Sequence, residues 1–101
     1  MKTWDHGDRQ RLVAIEKALA EFPDKIEWLF GHDFSKPEMF GNKEKILEQI
    51  GVFSSGEQVL IKLALSIWFK SEICFVSDLV YTLDNTNFRN AIEAILLWRK
   101  I

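Results

Sequence analysis

A single cysteine, Cys74, is the whole thiol complement of this 101-residue chain. No intramolecular disulfide can form, and a zinc site built from cysteines is excluded. An unpaired thiol suits a reducing compartment. No apolar run approaches the roughly eighteen residues of a membrane-spanning helix. The opening Met1-Lys2-Thr3-Trp4-Asp5-His6-Gly7-Asp8 lacks the apolar core of a signal peptide. The expectation is a soluble, cytoplasmic protein that does not engage a membrane. Positive charge is not in excess either: 13 Lys and Arg stand against 15 Asp and Glu, a net charge of −2. Clustered cations supply most non-specific affinity for phosphate backbones, so nucleic acid is not expected as a partner. Internal repeats, low-complexity tracts and linkers are missing as well.

What is present is apolar and helical in pattern. Hydrophobic residues make up 48% and charged residues 28% of the chain, an ordinary globular balance. A chain of this length makes one domain, residues 1–101, which buries about 60–65% of its unfolded surface without a metal or disulfide staple. The organising stretch runs from Phe53 to Lys70. Ser54 and Glu57 stand at the spacing of a capping box, in which each side chain bonds the backbone N–H of the other residue. Beyond it, Gln58, Lys62, Ser66 and Lys70 recur every four residues and form one narrow polar stripe. Val59, Leu60, Ile61, Leu63, Leu65, Ile67, Trp68 and Phe69 cover the remaining surface. The spacing predicts a central buried helix over residues 55–70.

Other elements follow the same logic. Leu12, Ile15, Leu19 and Phe22 fall at steps of three and four, which predicts an amphipathic helix from about Asp8 to Phe22, stopped by Pro23. Pro23 and Asp24 suit the first turn of a second helix reaching Gly31. Gly31 to Gly41 reads as irregular chain pegged to the core by Phe34, Met39 and Phe40. Asn42 is placed to cap a helix carrying Ile46, Leu47 and Ile50, with Gly51 as a left-handed terminator. Ile73 to Val76 contains β-formers but has no partner strand, so an extended or turning connection is expected. Ser77 would then cap a short helix through Leu79, Val80 and Leu83. A last helix, Thr86 to Lys100, would turn Phe88, Ala91, Ile92, Ile95, Leu96 and Trp98 inward. The fold class is all-α, a compact single-domain bundle of about five to six helices around the central one.

Three constellations invite a functional reading. Ser54-Ser55-Gly56-Glu57-Gln58 resembles the signature motif of ABC-type and chromosome-maintenance ATPases, and Leu83-Asp84 with Asn87 resembles their later Asp-containing loop. That resemblance implies a γ-phosphate held at a helix N-terminus. No Gly-x-x-x-x-Gly-Lys loop accompanies it, and capping alone explains the residue types. His6, His32-Asp33 and Asp84 stand in the order of the His…His-Asp…Asp ligand set of HD-type metal-dependent phosphohydrolases, which they resemble. The resemblance implies a divalent hydrolytic metal on those four residues, with His32 here in a loop after a glycine. Ser77 to Leu97 can be read as a helix-turn-helix with Asn87, Arg89 and Asn90 opening the second helix, though its turn lacks glycine and the surface lacks cations.

No nucleophile stands out, because Cys74 lies in an apolar run that disfavours its thiolate. Four tryptophans are rich for the length. Trp68 and Trp98 fit inner helix faces. Trp4 and Trp28, exposed together with Phe34 or Phe40, would form an aromatic patch of the kind enriched at protein interfaces. Elimination leaves a small non-enzymatic interaction or regulatory module, without a cofactor, that binds a protein partner or itself. A metal-dependent hydrolase and a helix-turn-helix protein are the alternatives.

Overall fold

The computed structural model describes residues 3–32, 34 and 36–101. Its described residues form six α-helices and one 3-10 turn, with no strand. The helices are α1 (His6–Ala18), α2 (Pro23–Phe30), α3 (Lys43–Gln49), α4 (Ser55–Phe69), α5 (Val76–Thr82) and α6 (Asn85–Arg99), with the 3-10 turn Ile50–Val52 between α3 and α4. The bundle is all-α, and a Cα radius of gyration of 12.6 Å is the roughly 13 Å expected of a compact chain this long.

α4 runs through the middle, as its apolar pattern requires. Val59, Leu60, Ile61, Leu63, Ala64, Leu65, Ser66 and Ile67 are all buried. Its capping box is formed: the Glu57 N–H donates to Ser54 Oγ at 3.3 Å, and the Ser54 N–H donates to Glu57 Oε1 at 3.1 Å. The helix closes one residue earlier than its pattern suggests. Lys70 is the C-cap in the left-handed conformation, φ 54° and ψ 47°, with its N–H on the Ser66 carbonyl. Glu57 is held below the ordinary carboxylate range first by the Ser54 side-chain bond and then by the Lys25 ammonium. A carboxylate with a lowered folded pKa stabilises fully above its unfolded value, and that stabilisation is lost as pH falls through the folded one. Ser54→Ala should therefore cost about 1 kcal/mol at neutral pH in urea unfolding. The difference from wild type should shrink as pH drops below 4.5, the ordinary Glu value.

α1 is shifted toward the N-terminus relative to its apolar pattern. Asp5 and Asp8 make a second capping box that starts the helix at His6. Backbone bonding stops near Leu19 because, in a continued helix, the Pro23 ring would clash with the Leu19 carbonyl. Leu19 stays fully buried while the chain turns through Phe22 into α2. Gly31 ends α2 at φ 89°, a conformation that favours glycine. Gly51 does not act as a left-handed terminator, since α3 passes directly into the 3-10 turn.

α1 packs most extensively on α6. The contact uses small residues, Ala14 and Ala18 on one side and Ala91 and Ala94 on the other, all fully buried. Small side chains bring the helix axes close, and a Lys17–Glu93 ion pair at 2.7 Å fixes the antiparallel register at the edge. Residues 71–75 form no strand. Ser66 Oγ accepts from the Ile73 and Cys74 N–H groups at 3.2 and 3.0 Å, so a side chain supplies the partner that a neighbouring strand would have given. The same hydroxyl donates to the Lys62 carbonyl at 2.9 Å. α5 then begins at Val76 with Phe75 as N-cap rather than at Ser77, because Asp78 reaches back to the Phe75 N–H.

Candidate interaction surface

The four aromatic candidates separate into two groups on opposite sides of α2, one on Phe30 and one on Trp28. Trp4 donates its indole N–H to the Phe34 carbonyl at 2.8 Å. Its ring meets Phe30 at 6.0 Å and Trp68 at 6.2 Å, and Phe30 meets Trp68 edge-on at 4.9 Å. Arg11, paired with Asp8, lies over Trp68 with its guanidinium carbon 5.2 Å from the ring centre. Trp4 and Phe34 are therefore half-buried and tie the N-terminus and the 31–41 segment to the core. Phe34 sits at φ 52°, strained for a side chain with a Cβ, and the Trp4 bond helps to hold it there.

Trp28 is the centre of the second group, edge-on to Phe40 at 4.8 Å and to Phe53 at 5.0 Å. Lys25 places its ammonium 4.5 Å from the Phe53 ring centre while pairing with Asp24 at 2.6 Å and Glu57 at 3.0 Å. Between α2 and the 3-10 turn this leaves an open groove, bordered by Trp28, Phe53 and the exposed Val52. Phe40 is the most exposed of the four aromatics, at 40%.

His6 is the first residue of α1, on the surface. His32 is exposed after Gly31, with Nδ1 3.3 Å from a Glu27 carboxylate oxygen. Asp33 lies outside the described residues. Asp84 is the N-cap of α6, accepting from the Asn87 N–H at 2.8 Å. Among the described residues, no three His, Cys, Asp or Glu side chains converge as a metal site. For the helix-turn-helix reading, Asn87 is buried against the core rather than presented outward, while Arg89 is exposed. At the start of α4, the Ser54 hydroxyl is occupied by Glu57 at 2.7 Å. The Cys74 thiol is pushed up to about 11, first by burial and then by Asp78, so it is protonated and a poor nucleophile at neutral pH.

The largest concentration of exposed apolar side chains lies elsewhere, on α5 and α6. Val76 is 74% exposed, Val80 and Leu96 are each 53%, and Ile92 is 39%, with Phe75 and Tyr81 also out in solvent. Ile92 and Leu96 were expected to face inward, and the structure corrects that. The reason is geometric. Ala94-Ile95-Leu96-Leu97-Trp98 is apolar at five successive positions and so wraps all round α6. The neighbouring helices bury Asn87, Ala91 and Ala94 and partly cover Phe88, Ile95, Leu97 and Trp98, which leaves Ile92 and Leu96 open. α5 leans on α6 lightly, burying only Leu79 of its seven residues. Val76, Leu79, Ile95 and Trp98 share the walls of a pocket where the α5 N-terminus approaches the C-terminal half of α6. The run 94–98 was the available sequence signal, since an outer helix that is apolar all round cannot bury every side.

Compared with known proteins, the chain matches no family model, no curated protein and no solved structure. Among the described residues, no helix is long and apolar enough to cross a membrane.

Proposed function

We propose that this chain is a non-enzymatic protein-interaction module whose contact surface is the outer face of α5 and α6. The observation that carries the reading is the exposure of Val76, Val80, Ile92 and Leu96 on two consecutive helices. Contiguous apolar surface is costly in water and marks contact sites in stable monomeric folds. The aromatic residues fit this division of labour. Trp4 and Phe34 hold the fold together, and Trp28 with Phe40 borders a secondary groove. The free Cys74 suits work in a reducing compartment such as the cytoplasm.

The test is a separation of stability from association. The double substitution Ile92→Ser, Leu96→Ser removes apolar surface that packs on little, so its unfolding free energy should stay within about 1 kcal/mol of wild type. In native-host extract the wild-type chain should elute from a sizing column in a stoichiometric complex, and the double variant should elute as free protein. A variant that elutes with the wild type removes the support for this surface.

A further inference from the structure

Four hollows on the described residues each have an Asp or Glu among their lining side chains, and a fifth has none. The exception lies along the seam between α1 and α6, toward the start of α1 and the end of α6. Helix register explains where it forms. One turn beyond the Lys17–Glu93 pair, Val13 on α1 comes level with Leu97 on α6, and a further turn brings Arg9 and Gln10 level with Lys100 and Ile101. His6, Gln10, Val13 and Lys17 recur at steps of four and three, so they form one stripe of α1 along this seam. His6, Arg9, Gln10, Val13, Leu97, Lys100 and Ile101 together line a pocket of about 330 Å³. Small-ligand sites run from roughly 300 to 1,000 Å³, so a small occupant fits.

The lining has two chemistries. Val13, Leu97 and Ile101 form an aliphatic wall, with Val13 52% and Ile101 44% exposed. Arg9 and Lys100 add two cations, in a chain whose net charge is −2. Among the described residues neither has a carboxylate within ion-pair distance, whereas Lys17 one turn away is neutralised by Glu93. We propose that this pocket binds a medium-chain fatty acid, its alkyl chain against Val13, Leu97 and Ile101 and its carboxylate paired with Arg9 and Lys100. A guanidinium and an ammonium are the usual partners of a carboxylate. A neutral chain would leave both cations without a counter-charge, and a bare anion would leave the aliphatic wall in water. The wall has no aromatic side chain, so an aromatic acid would find no stacking partner. Leu97 stands about 100° round α6 from Leu96, which makes this site separate from the α5–α6 face, and either reading can fail without the other.

Titration of the purified chain with octanoate, followed through its amide chemical shifts, tests this. Saturable shifts should centre on Arg9, Val13, Leu97 and Lys100, with a Kd of about 1 mM or tighter. Octanol keeps the chain and acetate keeps the head, and each should bind at least about tenfold more weakly. Added salt should weaken octanoate binding, because the cations are exposed. Arg9→Gln with Lys100→Gln should lower octanoate affinity about tenfold or more, and Val13→Ser should lower it as well. All three side chains are exposed, so circular dichroism should be unchanged in both variants. The absence of saturable shifts up to about 10 mM octanoate overturns the proposal. So do shifts centred on another part of the surface, octanol bound as tightly as octanoate, or octanoate binding indifferent to the Arg9, Lys100 double variant.

Discussion

Leu65→Ala should destabilise the protein by about 2–5 kcal/mol. Leu65 is fully buried in the middle of α4, flanked by Ala64 and Ser66, which are also inaccessible. Truncating it removes the transfer free energy of the lost methyl groups and leaves a cavity that the surrounding helices fill only in part. The core it belongs to reaches Ile15 and Leu19 from the α1 segment, Leu29 from α2, Ile46 from α3 and Ala91 from α6, so little of the fold is free to relax around the void. Urea unfolding gives the number directly, from the shift in midpoint at constant slope. Leu96→Ala is the matched control, the same chemical change at a half-exposed site, and should cost well under about 1 kcal/mol. Equal costs at the two sites would place the centre of the molecule wrongly.

Ser66→Ala should cost about 1–3 kcal/mol, a large effect for the loss of one oxygen. Its hydroxyl is buried, donates to the Lys62 carbonyl and accepts from the Ile73 and Cys74 N–H groups. Removing it leaves the Cys74 N–H with no partner and the Ile73 N–H with only the Ser71 carbonyl at 3.2 Å, in a part-buried site where an unsatisfied donor costs about 1–3 kcal/mol. The loss is local as well as global. Residues 73 and 74 lead straight into α5, so the amides of α5 should exchange with deuterium faster in the variant than those of α1 or α4. Unfolding data that place Ser66→Ala within about 0.5 kcal/mol of wild type, or unchanged exchange in α5, would show that the 71–75 connection is held by something else.

Ser66 also marks where the sequence was legible and where it was not. α4 could be read because two independent signals agree on it, a capping box at its start and an apolar surface on nearly all sides. Ser66 belonged to the sparse polar stripe of that helix, and its period alone gave no sign that the stripe would be closed over by residues 71–75. Boundaries moved wherever a side chain overrode periodicity. Asp5 and Asp8 start α1 early, Asp78 starts α5 at Val76, and Lys70 takes a left-handed cap usually filled by glycine. Of the inner face that the apolar pattern of α6 names, Phe88, Ala91, Ile95 and Trp98 pack on the core, and Ile92 and Leu96 do not. That is decided by Ala91 and Ala94, whose small size admits α1 on one side and turns Ile92 and Leu96 outward. Aromatic residues posed the reverse problem. Trp4 looked unattached because its partners, Phe30, Phe34 and Trp68, are distant in sequence, and only the folded chain brings them together.

The most direct measurement of the α5–α6 surface is photo-crosslinking in the native host. A benzophenone amino acid at Leu96 is compared with the same group at Glu21, exposed in the turn that follows α1. Illumination should give a discrete adduct from position 96 and none from position 21. Equal yields from the two positions, or no adduct from Leu96, would contradict the assignment of this face as the working surface of the protein.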